Sequence, residues 1–515
     1  MPESIGRRRF LKTSAASAAG AWLGGFRVAE LAAAVPAPPA GPFRVSAQSA
    51  DPATPLAYRT ITEVSAAIGR GELTPVDLVE ACLDRIATAE PVVRAWVDLY
   101  GDDALEAAHH ATADIARDGQ RTPLHGIPFG IKDLYDIEGK RTRCGSAVRA
   151  DVAPAVRDAA VVARLRSAGA LLLGKTNTHE FAFGVWSPPT SNPWDTSRIP
   201  GGSSGGSAAA LAAGMTFGAT GTDTGASIRL PAALCNVVGF KPTFGTVSRA
   251  GVFPLSWSLD HAGPLARSVE DCALIADALA GRDVADPSTS EAGETNFTRA
   301  LGAPITGLRI GVPTSVFFDG CDPEVRAVVE AAAVTLASLG ATVVPVDPPA
   351  TQRIASTAYL ALQLSEPLAI HETYLRARSH EYQTQTQVLL ALGTKWSAGD
   401  YLRAQRIRTL NIREWLHVFS SIDAVLTPTA PRPAPIKEEA QATGVFELVN
   451  YTSPFNFSGF PSISVPAGFT AGGLPVGAML TARPFDDARL MQIAFALQEA
   501  IGAHRAMPPQ DAQAR

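Results

Sequence analysis

Residues 200–231 read PGGSSGGSAAALAAGMTFGATGTDTGASIRLP. The run Gly201-Gly202-Ser203-Ser204-Gly205-Gly206 cannot be regular structure, because glycine favours special backbone angles and weakens helices and strands. Residues 207–214 predict a helix. Its first N–H groups lack intrahelical partners and would face the glycine loop, a place suited to developing negative charge. Residues 217–221 predict a strand, followed by a second tight loop, Thr222-Asp223-Thr224-Gly225-Ala226-Ser227. Two small-residue loops therefore bracket one helix, and both carry serine. A flexible Gly/Ser linker would not be flanked by apolar helix and strand patterns.

Outward from this centre, helix and strand patterns alternate. Thr74 can cap a helix with Pro75 at its first position, and Val79, Cys82, Leu83 and Ile86 share one face. Residues 127–131 and 170–173 read as strands, with a helix over 158–168 between them. Ser268 and Asp271 form a capping box that opens a helix through Leu279. Strands over 308–312 and 342–346 flank a helix that Asp322-Pro323 opens and Gly340 closes. Strands follow over 463–465 and 476–480, then a helix from Asp486. Residues 354–420 predict a helical cap, and 283–307 an irregular surface excursion. This alternation argues an α/β fold, a sheet covered by helices.

Composition narrows the classes. Apolar residues at 46% and charged residues at 18% suit a soluble protein with a sizeable core. A net charge of −5 offers no general attraction to nucleic acid. The five cysteines are scattered and odd in number, which argues against a disulfide framework. Without CxxC or HExxH, a metal site has no sequence support. His109 and His110 are neighbours on a predicted helix, so they diverge and read as surface residues. The N-terminus carries Arg7-Arg8-Arg9-Phe10-Leu11-Lys12, which fits a twin-arginine export signal over residues 1–35. A Pro-rich linker over 36–56 and one folded domain over 57–505 complete the expected organisation.

The central stretch resembles the amidase signature, and the likeness spreads over about residues 60–500. His125-Gly126-Ile127-Pro128-Phe129-Gly130-Ile131-Lys132-Asp133 is similar to that family's lysine strand. Gly174-Lys175-Thr176-Asn177 through Glu180-Phe181 resembles its next motif, and Asn192-Pro193-Trp194-Asp195 leads into the glycine loop as in relatives. Gly239-Phe240-Lys241-Pro242-Thr243, Ser258-Leu259-Asp260-His261, Gly263-Pro264 and Ser453-Pro454-Phe455-Asn456 through Val465-Pro466 continue the pattern. The resemblance implies a mixed central sheet with helices on both sides and a serine hydrolase of linear amide bonds. It implies Ser227 as nucleophile, Ser203 as bridging serine after a cis peptide bond from Gly202, and Lys132 as base. Backbone N–H groups of Thr224, Gly225, Ala226 and Ser227 would form the oxyanion hole.

The chemistry explains these residue types. A serine hydroxyl needs a base to take its proton. Lysine is a base only when neutral, and desolvation favours the neutral amine, so Lys132 should be buried. One departure stands out: relatives usually have two glycines before the nucleophile, whereas here Gly225 is followed by Ala226. Alanine is strained there if the position needs a positive φ, and only narrows the pocket if not. No cofactor or metal is implied. The expected partner is a small-molecule amide, with esters and carbamates open to the same chemistry, and with no nucleic acid or membrane partner for the mature chain. Trp186, Phe181, Phe183, Trp257 and Phe455 lie in or beside motif loops, as pocket or core.

Other readings compete. Gly169-Ala170-Leu171-Leu172-Leu173-Gly174-Lys175-Thr176 fits the P-loop pattern, but its middle reads as strand. Gly201-Gly202-Ser203-Ser204-Gly205 fits the nucleophile elbow GxSxG, but loop residues precede it, where that motif follows a buried strand. A non-catalytic protein of an assembly, built on the same fold, is a third reading. The presence of Lys132, Ser203 and Ser227 together argues against it.

Overall fold

The computed structural model describes residues 54–290 and 296–509. The twin-arginine pattern and most of the Pro-rich linker lie outside the described residues. Eleven strands form one sheet: β1 (Trp96–Leu99), β2 (Pro128–Lys132), β3 (Leu171–Thr176), β4 (Gly218–Asp223), β5 (Val238–Lys241), β6 (His261–Ala266), β7 (Arg309–Pro313), β8 (Thr342–Val346), β9 (Ala424–Pro428), β10 (Ser462–Phe469) and β11 (Pro475–Thr481). Their order is β1-β3-β2-β4-β6-β5-β10-β11-β9-β7-β8. β2 runs parallel to β3 and β4, and β7 parallel to β8 and β9. The other pairings are antiparallel, so the sheet is mixed.

The helices that bear on the site are α1 (Pro75–Val93), α2 (Ala160–Ser167), α3 (Gly205–Ala212), α4 (Arg229–Cys235), α5 (Val269–Leu279), α6 (Pro323–Ser338), α7 (Gln352–Arg378), α8 (Thr384–Gly393), α9 (Ala398–Val418) and α10 (Asp487–Ile501). α1 starts as its sequence dictates: the Thr74 hydroxyl and the Asp77 carboxylate cap each other's backbone N–H, and Pro75 fills the first position. The predicted helical cap is α7, α8 and α9. Glu366 on α7 fixes it to the loop before β6, accepting from Ser258 Oγ at 2.6 Å and from Tyr401 Oη on α9 at 2.9 Å. Among the described residues no helix is long and apolar enough to cross a membrane.

Several expectations need correction. The strand over 170–173 continues to Thr176, so Gly174-Lys175-Thr176 is buried sheet with no glycine-rich turn to hold a phosphate. β4 runs on through Asp223, which shortens the second tight loop by two residues. The capping box at α5 is half formed. Ser268 Oγ accepts the Asp271 N–H at 3.0 Å, but the Asp271 carboxylate accepts from the Ile61 and Thr62 N–H groups instead, each at 3.0 Å. Distant backbone donors have displaced the local partner. Residues 283–307 hold no strand or α-helix among the described residues, yet Asp286 and Phe297 are buried, so the segment is not simply surface.

Candidate active site

Lys132 ends β2 and is completely buried. Its backbone N–H donates to Thr220 Oγ1 of β4 at 2.9 Å, which fixes the strand end. Its Nζ lies 2.8 Å from each of three hydroxyls: Ser203 Oγ, Ser204 Oγ and Thr222 Oγ1. No carboxylate touches it. Burial pushes its amine from the ordinary lysine value down to about 7, and the more distant Asp223 and Asp260 only partly oppose this.

The glycine loop is held from outside. The Gly202–Ser203 peptide bond is cis. The Ser203 carbonyl accepts from Ser187 Oγ at 2.7 Å and from the His179 N–H at 3.3 Å. A Cβ on Gly202 would meet the Trp186 backbone at 2.7 Å, so close approach demands glycine there. The irregular stretch before the loop rules against a nucleophile elbow, as its sequence indicates. The expected free N–H groups at the start of α3 are in fact used. Gly205 N–H donates to Ser187 Oγ at 3.1 Å and Gly206 N–H to the Asn177 carbonyl at 3.2 Å.

Ser227 sits in the turn between β4 and α4 and is mostly buried. Its carbonyl accepts the Ser204 N–H at 3.2 Å, which joins the two small-residue loops. The structure thus ties Lys132 to Ser203 by side chains, and Ser227 to the glycine loop by backbone. The N–H groups of Thr224, Gly225, Ala226 and Ser227 donate to no protein acceptor among the described residues. Such uncommitted donors can hold an oxyanion.

A buried ion pair positions this turn. Asp223 Oδ2 accepts from the Ile228 and Arg229 N–H groups at 3.1 and 3.3 Å and from Arg229 Nε at 2.9 Å. Asn456 Nδ2 donates to the Asp223 carbonyl at 2.8 Å and to its carboxylate at 2.9 Å. Burial alone would raise the Asp223 carboxyl, but the Arg229 guanidinium outweighs it and holds the group well below the usual carboxylate range. Thr224 Oγ1 donates to Asp260 Oδ1 at 2.6 Å, and Asp260 is anchored by the Leu255 and Ser256 N–H groups, each at 2.9 Å. Ala226 has no positive φ, and its methyl packs with Val185, Ile199, Leu230 and Leu234. A Cβ on Gly225 would collide with Tyr359 Oη of α7, so a side chain there must displace that hydroxyl.

The five aromatic candidates divide. Phe181, Phe183 and Phe455 are core, Trp186 is half-buried against the glycine loop, and Trp257 is 51% exposed. Sequence reasoning missed Ser204, Thr222, Asp223, Arg229 and Asn456 as members of the site. The signal for two of them was present: Asp223 and Arg229 flank the turn, a buried-pair spacing around Ser227. Among the described residues no group of three or more His, Cys, Asp or Glu side chains could hold a metal ion.

The amidase family model matches residues 77–491. An amidase of Pseudomonas putida is 42% identical over 462 residues, covering 88% of this chain and 98% of that protein. A glutamyl-tRNA(Gln) amidotransferase subunit from Heliobacterium modesticaldum is 39% identical over 484 residues, covering 88% and 99%. The crystal structure of the native peptide amidase of Stenotrophomonas maltophilia superposes with a TM-score of 0.77 at 33% identity, covering 88% of this chain and 99% of that one. With most of its length matched, and with the lysine, serine and glycine-loop geometry in place, the chain belongs to the amidase family of hydrolases acting on amide carbon–nitrogen bonds.

Proposed function

We propose that Ser227 is the nucleophile, Ser203 the bridging serine and Lys132 the base of an acyl-enzyme amidase. The observation that carries this reading is the buried Lys132 amine among three hydroxyls at 2.8 Å. As an ammonium it donates to all three. As a neutral amine it has one lone pair, which one hydroxyl must then satisfy by donating. If that hydroxyl is Ser203, its oxygen is free to take the Ser227 proton. Ser227 Oγ then attacks the amide carbon, the oxyanion meets the N–H groups of residues 224–227, and the nitrogen leaves protonated through the relay. Water repeats the steps on the acyl-enzyme. One oxyanion donor is typically worth about 3 kcal/mol of barrier. Treatment with a serine-directed sulfonyl fluoride, followed by peptide mapping, should place one adduct on Ser227 and none in Lys132→Ala. An adduct on Ser203 or Ser204 that survives the mutation would overturn the assignment.

The substrate of this reading is a small aryl or alkyl amide, with esters and carbamates accessible to the same site. The reading also makes the chain a stand-alone enzyme exported by the twin-arginine route, on the strength of Arg7-Arg8. Its rival is a member of a larger assembly, favoured by the 39% identity to a glutamyl-tRNA(Gln) amidotransferase component. Cell fractionation of a C-terminally tagged chain, beside Arg7→Lys/Arg8→Lys, tests this. Retention of both forms in the cytoplasm in a larger complex would favour the rival.

A further inference from the structure

A cleft of about 240 Å³ opens beside the relay. Its buried lining includes Thr222, whose hydroxyl touches Lys132 Nζ at 2.8 Å, and Thr224, the first residue of the proposed oxyanion stretch. Neither Ser203 nor Ser227 lines it. Leu134, Val252, Phe253 and Leu255 give it apolar walls, and the exposed Trp257 also lines it. Phe253 is braced from behind by Phe181, with ring centroids 5.1 Å apart.

The charged groups in the lining are already committed. Arg249 donates to the Trp257 carbonyl at 2.5 Å and to Ser288 Oγ at 2.7 Å, and pairs with Asp286 at 3.4 Å. Asp260 is filled by Thr224 Oγ1 and two backbone N–H groups. Asp286 also accepts the Arg249 N–H at 2.8 Å. A ligand group in the cleft would therefore meet apolar walls and the polar Thr222, Thr224 and His261, the last with a buried Nε2 that has no hydrogen-bond partner among the described residues. It would meet no unpaired charge, so burying a second charge there would be costly.

We infer that this cleft holds the leaving amine, that it selects amides of uncharged aromatic amines, and that Trp257 sets this selectivity. The inference rests on the Ser227 reading. When the Ser227 oxygen–carbon bond forms and the carbon–nitrogen bond breaks, the proton lost by Ser227 must end on the nitrogen. That proton passes through Ser203 and Lys132, so the amine belongs on the lysine side. Thr222, which touches Lys132 and lines the cleft, places the cleft on that side, while the carbonyl oxygen turns to the N–H groups of residues 224–227. An aromatic ring there would stack on Trp257 and Phe253.

The test uses acetanilide and acetamide, which share the smallest acyl group, and 4-acetamidobenzoate as an anilide with a carboxylate. The full chain should prefer acetanilide over acetamide by more than about tenfold in kcat/KM, since aromatic contacts in an apolar pocket give discrimination of roughly that size. It should turn over 4-acetamidobenzoate poorly. Trp257→Ala should cut the acetanilide-to-acetamide ratio by about tenfold, chiefly through KM, and Trp257→Phe should restore most of it. Trp257 is half exposed, so these variants keep the fold. An unchanged ratio in Trp257→Ala, or an equal loss on both amides, overturns the assignment. So does a wild type that labels at Ser227 yet hydrolyses neither amide. Failure of Ser227 labelling would instead count against the catalytic reading on which the cleft assignment depends.

Discussion

Two lysines on neighbouring strands meet different surroundings. Lys132 closes β2, and Lys175 lies in β3; both are completely buried. In the parallel register Lys132 faces Thr176 and Lys175 faces Ile131, so the pleat sends the two side chains to opposite faces of the sheet. Lys175 Nζ pairs with Asp133 at 3.2 Å and donates to the Tyr135 carbonyl at 2.6 Å and to Thr142 Oγ1 at 3.1 Å. Lys132 has only hydroxyls. A carboxylate and a carbonyl can only accept, so they suit one protonation state of an amine. A hydroxyl can accept or donate, so the cage around Lys132 serves both states without rearrangement. On the proposed reading, burial among hydroxyls with no carboxylate in contact leaves Lys132 a base, whereas burial beside Asp133 makes Lys175 a structural tie.

The contrast breaks most readily by mutation. Lys132→Ala should lower kcat by at least about 10³-fold with little loss of fold, because it removes the proposed base and leaves only polar hydroxyls behind. Lys175→Met should act on stability, by about 3 to 5 kcal/mol, because Asp133 is left as an uncompensated buried charge. Lys175→Met/Asp133→Asn should recover part of that loss. Denaturant titration with sulfonyl fluoride labelling of Ser227 separates the effects. If folded Lys175→Met loses the label as Lys132→Ala does, the two lysines do not differ in the way described.

The three hydroxyls around Lys132 are equidistant, yet only one is assigned to the relay. Ser203→Ala should therefore lower kcat by about 10² to 10⁴, the usual range for a proton-transfer group. Ser204→Ala and Thr222→Ala should each cost about tenfold, as losses of a supporting hydrogen bond. Equal losses in single-turnover kinetics for all three variants would show a shared cage in place of a directed relay.

The pH profile sharpens the contrast further. In the proposed relay the working form of Lys132 is neutral, and burial brings its pKa down to about 7. Raising pH through that value strips the proton and creates the base. kcat/KM should therefore reach a plateau above about pH 7 and fall tenfold per unit below it. A limb centred near the ordinary lysine value would mean that the cage does not desolvate the amine as described.

Much of this was legible in the sequence because local rules and tertiary structure agree there. The glycine loop, the strand leading to Lys132 and the Thr74-Pro75 helix start follow from residue type alone. β1, β5, β6 and β9 escaped notice. β6 reads His-Ala-Gly-Pro-Leu-Ala, and glycine and proline have low strand propensity. It is a strand because β4 and β5 pair with it on both sides. Ser204 and Thr222 escaped for a related reason: their partner lies 72 and 90 residues away, and only the parallel pairing of β2 with β4 brings them to one amine. The tie between Asp271 and the backbone of Ile61 and Thr62 spans 210 residues and overrides a local capping rule.

Ala226 offers the finest test, because the sign of a small effect decides it. If the turn before Ser227 demanded a positive φ, glycine would relieve strain and Ala226→Gly would stabilise the fold. The structure gives Ala226 no positive φ and packs its methyl against Ile199 and Leu230. Replacing it with glycine removes a buried methyl group, worth about 0.8 kcal/mol, and adds freedom to the unfolded chain. Ala226→Gly should thus destabilise by about 1 to 2 kcal/mol in denaturant titration. The backbone N–H survives the change, so kcat should stay within about threefold of the starting value. A gain in stability would show that alanine is tolerated at a strained position. The expected loss would show that its methyl is part of the wall that holds the turn before Ser227 in place.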